Sequence, residues 1–318
     1  MAGGSVSHVK VVVVGTGAVG STFAYTLMGS GLANEIILVD KDRARAEGEA
    51  MDLSHCLPFT PPVAIRAGDY QDCREADVIV IAAGASQAPG KSRMDLIGRN
   101  STICRAVMDG ILEHTRSAVI IMVTNPVDVL TYAALRHSGL PWQQVFGSGT
   151  VLDSARFRYQ LSKHCKVDAR NVHGYILGEH GDSEVAAWSL THLAGMQIDA
   201  YCELYACCNH REQRGQIVEE VRSSAYHLIE SKGFTNYGIG QALLRIVGAV
   251  VRDEHSVLSV SSLVNGYLGI SDVCLSIPCV VGRKGVERQL LADLPEDERE
   301  GLRASAAKLK AIQDATPA

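Results

Sequence analysis

Residues 11–14 are four consecutive valines, followed at once by Gly15-Thr16-Gly17-Ala18-Val19-Gly20. β-branched side chains favour extended backbone, and a run without polar alternation predicts a strand buried on both faces, as in a parallel sheet. The glycines then permit a tight turn, and the apolar spacing of Ala18–Gly29 is helical. Bare amides and the dipole at the start of such a helix attract phosphate. Twenty residues beyond Gly20, the strand-like run Glu35-Ile36-Ile37-Leu38-Val39 ends in Asp40, a carboxylate suited to ribose hydroxyls and hostile to a 2′-phosphate. A lone G-x-G-x-x-G is weak. Strand, glycines, helix and acid in register predict a dinucleotide site for NAD rather than NADP, built from Gly15, Gly17, Val19, Gly20 and Asp40.

Asp77–Ala82, Ala118–Val123 and Gln144–Phe146 read as further short strands, with Met94–Glu113 a helix among them. This alternation predicts an α/β fold: a Rossmann doubly wound parallel sheet over residues 8–148. Beyond it the pattern changes to an α+β substrate domain, 149–318, with antiparallel strands. There a helix starts near Val151, a strand covers Asn171–Leu177, and a long helix covers Gln213–Ser231. His255–Val264 and Asp272–Val281 form a hairpin joined through Asn265-Gly266, a dipeptide suited to tight turns. From Pro295 an amphipathic helix carries Leu302, Ala306, Leu309 and Ile312 on one face.

In a doubly wound sheet, ligands sit where the strand order reverses, between the first and fourth strands. With Asp77–Ala82 as the fourth, the segment that follows is AGASQAPGKSR, residues 83–93, with Gly84 near its start and Arg93 at its end. Its small, polar, Gly/Pro-punctuated character suits a lid that closes and delivers a cation. It equally suits a solvated surface loop.

Composition narrows the function classes. The 318 residues are 47% hydrophobic and 20% charged with net charge −5, which gives no basic footprint for nucleic acid or an acidic membrane. The N-terminus lacks the apolar core of a signal peptide, and no apolar run approaches the ~20 residues of a membrane span. Nine cysteines contain no C-x-x-C pair. Cys202, Cys207, Cys208 and His210 fit no zinc spacing, so no metal is expected and all nine read as reduced thiols of a cytoplasmic protein.

Two features could carry chemistry. Gly178-Glu179-His180-Gly181-Asp182-Ser183 follows the apolar run Tyr175-Ile176-Leu177. A single histidine after a strand is more often a hydrogen-bonded structural residue than a proton carrier. Asp153 and Arg156 lie three apart on one helix face, the spacing of an ordinary salt bridge.

Taken in order, GTGAVG, ILVD, AGASQAPGKSR, TNPVD, LDSAR, GEHGDS and GFTNYGIG resemble the L-lactate dehydrogenases of the lactate/malate dehydrogenase superfamily, over essentially the whole chain. The resemblance implies His180 as catalytic acid/base, Asp153 as its carboxylate partner, Arg156 as clamp on the substrate carboxylate and Arg93 as the lid arginine. It places Asn125 near the reacting carbon, against both substrate and cofactor. It also places Thr235 beside the substrate, Ile239 behind the nicotinamide, and Gly84 at the cofactor. The chemistry agrees. Reducing a 2-oxo acid needs a hydride and a proton, histidine has the side-chain pKa nearest neutrality, and an arginine fork grips a carboxylate bidentately.

Gln87 matches the position facing the substrate's variable end, where malate enzymes carry arginine. A neutral glutamine leaves oxaloacetate's second carboxylate unpaired, so pyruvate is the expected substrate and L-lactate the product. Malate dehydrogenase, or a broader 2-hydroxy acid dehydrogenase, is the alternative within the enzyme class. A non-catalytic NAD-binding sensor would be expected to lack one of His180, Asp153 or the arginines, and all are present; a structural protein reusing an enzyme scaffold is a further alternative, one that would not remove the activity. Arg158 and His173 resemble positions with which bacterial relatives bind fructose 1,6-bisphosphate across a subunit interface, implying a homotetramer. An ordinary ion pair and a turn hydrogen bond are the competing readings of those two residues.

Overall fold

A computed structural model describes residues 8–85, 93–205 and 210–316. The first half runs β1 (Lys10–Val14), α1 (Ala18–Ser30), β2 (Glu35–Val39), α2 (Arg43–His55), β3 (Ala64–Ala67), β4 (Val78–Ile81), α3 (Arg93–Leu112), β5 (Val119–Met122), α4 (Val127–Ser138) and β6 (Val145–Gly147). The second half begins with α5 (Val151–Cys165), followed by β7 (Val172–His173), β8 (Ile176–Leu177), β9 (Val185–Ala186), β10 (His192–Leu193) and β11 (Met196–Gln197). It closes with α6 (Ile198–Tyr205), α7 (His210–Lys232), α8 (Tyr237–Val251), β12 (Ser256–Tyr267), β13 (Ile270–Gly282), β14 (Gly285–Gln289) and α9 (Glu296–Ala315).

Six strands pair in parallel in the order β3-β2-β1-β4-β5-β6, the doubly wound arrangement expected from the alternating runs. The valine run shows why it lacks polar residues. Val11 and Val13 face one apolar cluster, with α1 and α8, while Val12 and Val14 face the other, with α3 and α4. Side chains alternate between faces, but both faces are covered, so every position is apolar. β3 escapes the sequence reading because it is a half-exposed edge strand, Ala-Ile-Arg-Ala, without an apolar run.

The sheet continues past residue 148. β12 pairs antiparallel to β6 through Ser261 and Gly147, and β13 and β14 extend it to nine strands. Two expectations need correction. The hairpin turns at Leu268-Gly269, both with positive φ (55° and 79°), not at Asn265-Gly266. The Asn-Gly pair instead sits in a ladder irregularity within β12, where the Asn265 side chain accepts from the Asp272 amide. The expected strand Asn171–Leu177 is two short strands in different sheets, β7 beside β10 and β8 beside β9. Between them Gly174 passes so close to the Phe157 ring that a Cβ would lie 3.0 Å from it. The closing helix docks as expected, with Leu302, Ala306 and Leu309 buried in the large core cluster and Ile312 packed against it.

Candidate active site

The cofactor end of the site forms where β1 and β4 run side by side, Val14 opposite Ile81. Gly15 turns out of β1 with φ 97°, and a Cβ there would lie 2.4 Å from the Ala83 amide nitrogen. Gly20 is as constrained, since its Cβ would fall 1.9 Å from the Gly15 carbonyl oxygen. At Gly17, the N-cap of α1, a Cβ would meet nothing within 4 Å. That open side belongs to a cavity of about 210 Å³ that also takes in Asp40 and Gly84. No acidic residue occupies the first turn of α1 and no side chain caps it, so its amides are available to an anion. Asp40 accepts from the Thr16 amide (2.7 Å), the Thr16 hydroxyl and the Asp42 amide. Burial pushes its carboxyl up, but these hydrogen bonds prevail and hold it below the usual carboxylate range. It therefore stays an ionised hydrogen-bond acceptor at the wall of this cavity. Val19 and Ile239 are half-buried against the core and line neither this cavity nor the next.

The second cluster of candidate residues centres on Asp153. In the first turn of α5 its side chain is 3% exposed and both oxygens are engaged. Oδ1 accepts from Arg156 Nη1 at 2.9 Å and Oδ2 from His180 Nδ1–H at 2.5 Å. The three-residue spacing on α5 is thus a salt bridge and something more, since the same carboxylate fixes the imidazole, leaving Nε2 for the cleft. Burial raises the Asp153 carboxyl, yet the charges and hydrogen bonds of His180 and Arg156 override it and hold its pKa low. Burial likewise lowers the His180 pKa, but the Asp153 charge and hydrogen bond, with the Asp128 charge, raise it to about 9. His180 is therefore a charged acid at neutral pH.

A cavity of about 290 Å³ brings Asn125, Asp153, Arg156 and His180 together with Glu184 and Arg222. Thr235 is half-buried just before α8 and does not line it. Arg93 is the first residue of α3, and Gln87 lies outside the described residues. A larger cavity, about 780 Å³, lies between α4 and the end of α9, and none of the expected site residues among those described lines it.

Three buried polar residues were not singled out from the sequence. Asp128, in the first turn of α4, accepts from the His180 amide at 2.8 Å, and burial pushes its carboxyl up to about 6. Asn100 accepts from the Ala85 amide and donates to the Asn125 carbonyl, both at 2.8 Å, tying the start of segment 83–93 to the loop before α4. Glu184 is 3% exposed, and burial and then the Asp153 charge push it up to about 8. The usable signal for Asp128 was a carboxylate set among Val127, Val129 and Leu130 at a helix start. Away from the cleft, Arg158 donates to the carbonyls of Val172 (2.6 Å) and Ala169, beside the exposed His173.

These sites belong to a recognisable class. The family model for the lactate/malate dehydrogenase NAD binding domain matches residues 9–147, and that for the lactate/malate dehydrogenase alpha/beta C-terminal domain matches 150–317. The chain belongs to the lactate/malate dehydrogenase family. Among its relatives, the L-lactate dehydrogenase of Treponema denticola is 55% identical over 302 residues, covering 95% of this chain and 96% of that protein. The L-lactate dehydrogenase of Acetivibrio thermocellus is 51% identical over 303 residues, covering 95% and 96%. Among solved structures, the minor L-lactate dehydrogenase of Enterococcus mundtii superimposes with a TM-score of 0.95 at 38% identity, covering 98% of this chain and 99% of that one.

Proposed function

We propose that this protein is an NAD-dependent L-lactate dehydrogenase that interconverts pyruvate and L-lactate. The observation that carries the reading is the single buried carboxylate of Asp153, shared between the His180 imidazole and the Arg156 guanidinium at the wall of one cavity. The glycine turn, the bare amides of α1 and Asp40 are the residues to hold the cofactor, which when bound supplies the hydride.

The chain's own residues do the rest. Arg156 grips the pyruvate carboxylate with the part of its fork not spent on Asp153. His180 gives the proton on Nε2 to the carbonyl oxygen as negative charge develops there, and Asp153 stabilises the imidazolium beforehand and fixes its tautomer. In the reverse direction the neutral imidazole removes the lactate hydroxyl proton. Arg93 is assigned to polarise the carbonyl, Asn125 to the substrate and nicotinamide region, Thr235 to the substrate side, and Ile239 to the nicotinamide's far face.

Gln87 is assigned the choice of substrate. Following NADH absorbance, pyruvate should be reduced much faster than oxaloacetate, and Gln87→Arg should move the ratio of the two kcat/KM values towards oxaloacetate by more than about 10-fold, since an unpaired buried charge is costly. A wild-type preference for oxaloacetate would defeat the substrate assignment, and an unmoved ratio in the variant would remove Gln87 from it.

The same reading extends to a cytoplasmic homotetramer. Cys56, Cys73, Cys104, Cys274 and Cys279 are free thiols, and among the described residues no helix is long and apolar enough to cross a membrane. Arg158 and His173 are assigned to a fructose 1,6-bisphosphate effector site. In support, Arg158 is half-buried and among the described residues pairs with no carboxylate. Paired cations across a two-fold axis repel until an anion neutralises them, so the effector favours assembly by its differential affinity. Adding fructose 1,6-bisphosphate should shift the pyruvate saturation curve to lower concentration and increase the tetramer fraction in sedimentation. Superimposable curves and unchanged assembly would refute the effector site alone.

A further inference from the structure

The His180 loop, residues 178–184, joins β8 to β9, and each of those strands is two residues long. Such a short pair gives the loop little rigidity of its own. Gly178 (φ 87°) and Gly181 (φ 154°) bracket His180 with backbone that tolerates few other residues. Yet acid–base catalysis requires the imidazole to be held closely, and a displacement of about 1 Å can cost ~10²-fold in rate. Something must hold the loop from outside.

Two holds are already described, Asp153 on the ring and Asp128 on the His180 amide. The Gly178 end is pinned to β13 by reciprocal amide–carbonyl bonds with Ser276. One further tie comes from α7, where Tyr226 Oη donates to Asp182 Oδ1 at 3.0 Å, and several run to α9. Ser305 Oγ accepts from the Glu179 amide at 2.8 Å and lies 3.1 Å from Ser183 Oγ, so one hydroxyl touches both flanks of His180. Lys308 Nζ meets Glu179 Oε2 at 2.8 Å. That same oxygen accepts the Ser183 hydroxyl at 2.5 Å and the Ser183 amide at 3.3 Å, which closes the loop on itself. The Glu179 side chain is 3% exposed, and a carboxylate so buried needs a partner charge. Glu179 is drawn to α9 while its neighbour His180 is drawn to α5, so the backbone between them is held from opposite sides.

We infer that Ser305 and Lys308 are positioning residues for catalysis, and that α9 is a clamp setting where His180 meets the substrate. The inference rests on the dehydrogenase role given to His180 above. It assigns a kinetic function to a helix that otherwise reads as a cover for the core.

The test compares the full-length wild type with Lys308→Met, Lys308→Arg and Ser305→Ala. Each is followed by kcat and KM for pyruvate, NADH binding, thermal melting and an NMR titration of the His180 imidazole. Lys308→Met and Ser305→Ala should lower kcat by about 10- to 100-fold with NADH binding unchanged, and the His180 titration should fall from about 9 towards the ordinary value near 6.5. Lys308→Arg should restore most of both. If Lys308→Met does not fold, Ser305→Ala carries the same readouts while keeping the Lys308–Glu179 ion pair. A lowered melting temperature with unchanged kcat and unchanged His180 titration would overturn the clamp. If the wild type does not reduce pyruvate, the dehydrogenase reading fails, and the titration still decides whether α9 positions His180.

Discussion

Replacing Asp153 with asparagine should lower pyruvate turnover at pH 7 by about 10²–10⁴-fold while leaving the fold and NADH binding in place. The amide keeps the shape of the carboxylate but loses its charge. Burial then acts on His180 unopposed by its nearest anion, and burial of an imidazole lowers its pKa. In the wild type the raised value, about 9, keeps the proton on His180 through the neutral range, so the reduction rate should be flat there and fall as pH rises through about 9. In Asp153→Asn the alkaline limb should move below neutrality, so that most molecules at pH 7 carry no proton to give. Arg156 loses its Oδ1 partner in the same variant, which adds a rise in the pyruvate KM.

The same group ties activity to stability. The folded pKa of His180 lies above the ordinary 6.5, so the stabilisation from binding that proton is fully present below about 6.5 and is lost as pH rises through about 9. Asp153→Asn removes this dependence. Thermal melts between pH 6 and 10 should decline for the wild type and less steeply for the variant, where the decline that remains comes from Glu184, pushed up to about 8 chiefly by burial. Unchanged profiles would reduce Asp153 to the plain helix salt bridge that its spacing first suggested.

What was legible from sequence followed from local rules. The valines of β1 announced a strand covered on both faces because alternate residues enter opposite clusters, and Gly15 and Gly20 stand where a Cβ would strike backbone. Asp153 and Arg156 could be paired from helix geometry alone. Residues whose role depends on distant chain were not legible. Asp128 reaches the His180 amide across 52 positions, and Ser305 the Glu179 amide across 126. An edge strand such as β3 has little apolar pattern to read. In the hairpin, local chemistry pointed to Asn265-Gly266, but the long ladder of β12 with β13 absorbed that pair as an irregularity and turned three residues later.

Arg156→Lys should raise the KM for pyruvate by about 10²-fold with a smaller fall in kcat and no change in NADH affinity. Hydrogen bonds to charged groups contribute about 1.5–3 kcal/mol each, and every 1.4 kcal/mol is tenfold, so losing one such bond fully gives a change of that size. Arg156 has two duties that a planar fork can meet together. One nitrogen braces Asp153 at 2.9 Å, and the rest of the guanidinium faces the cavity, where its side chain is 14% exposed. An ammonium is a compact charge on a shorter reach with no fixed fork. It must choose between the Asp153 carboxylate and the substrate's, and Asp153 is covalently near and always present. The lysine variant should therefore keep the His180 titration close to wild type while losing its grip on pyruvate, the opposite of the pattern expected for Asp153→Asn. Steady-state kinetics over a wide pyruvate range, with the His180 titration alongside, separates the two. An unchanged KM would take Arg156 out of the substrate site, and a collapsed His180 titration would show that its main duty is to Asp153.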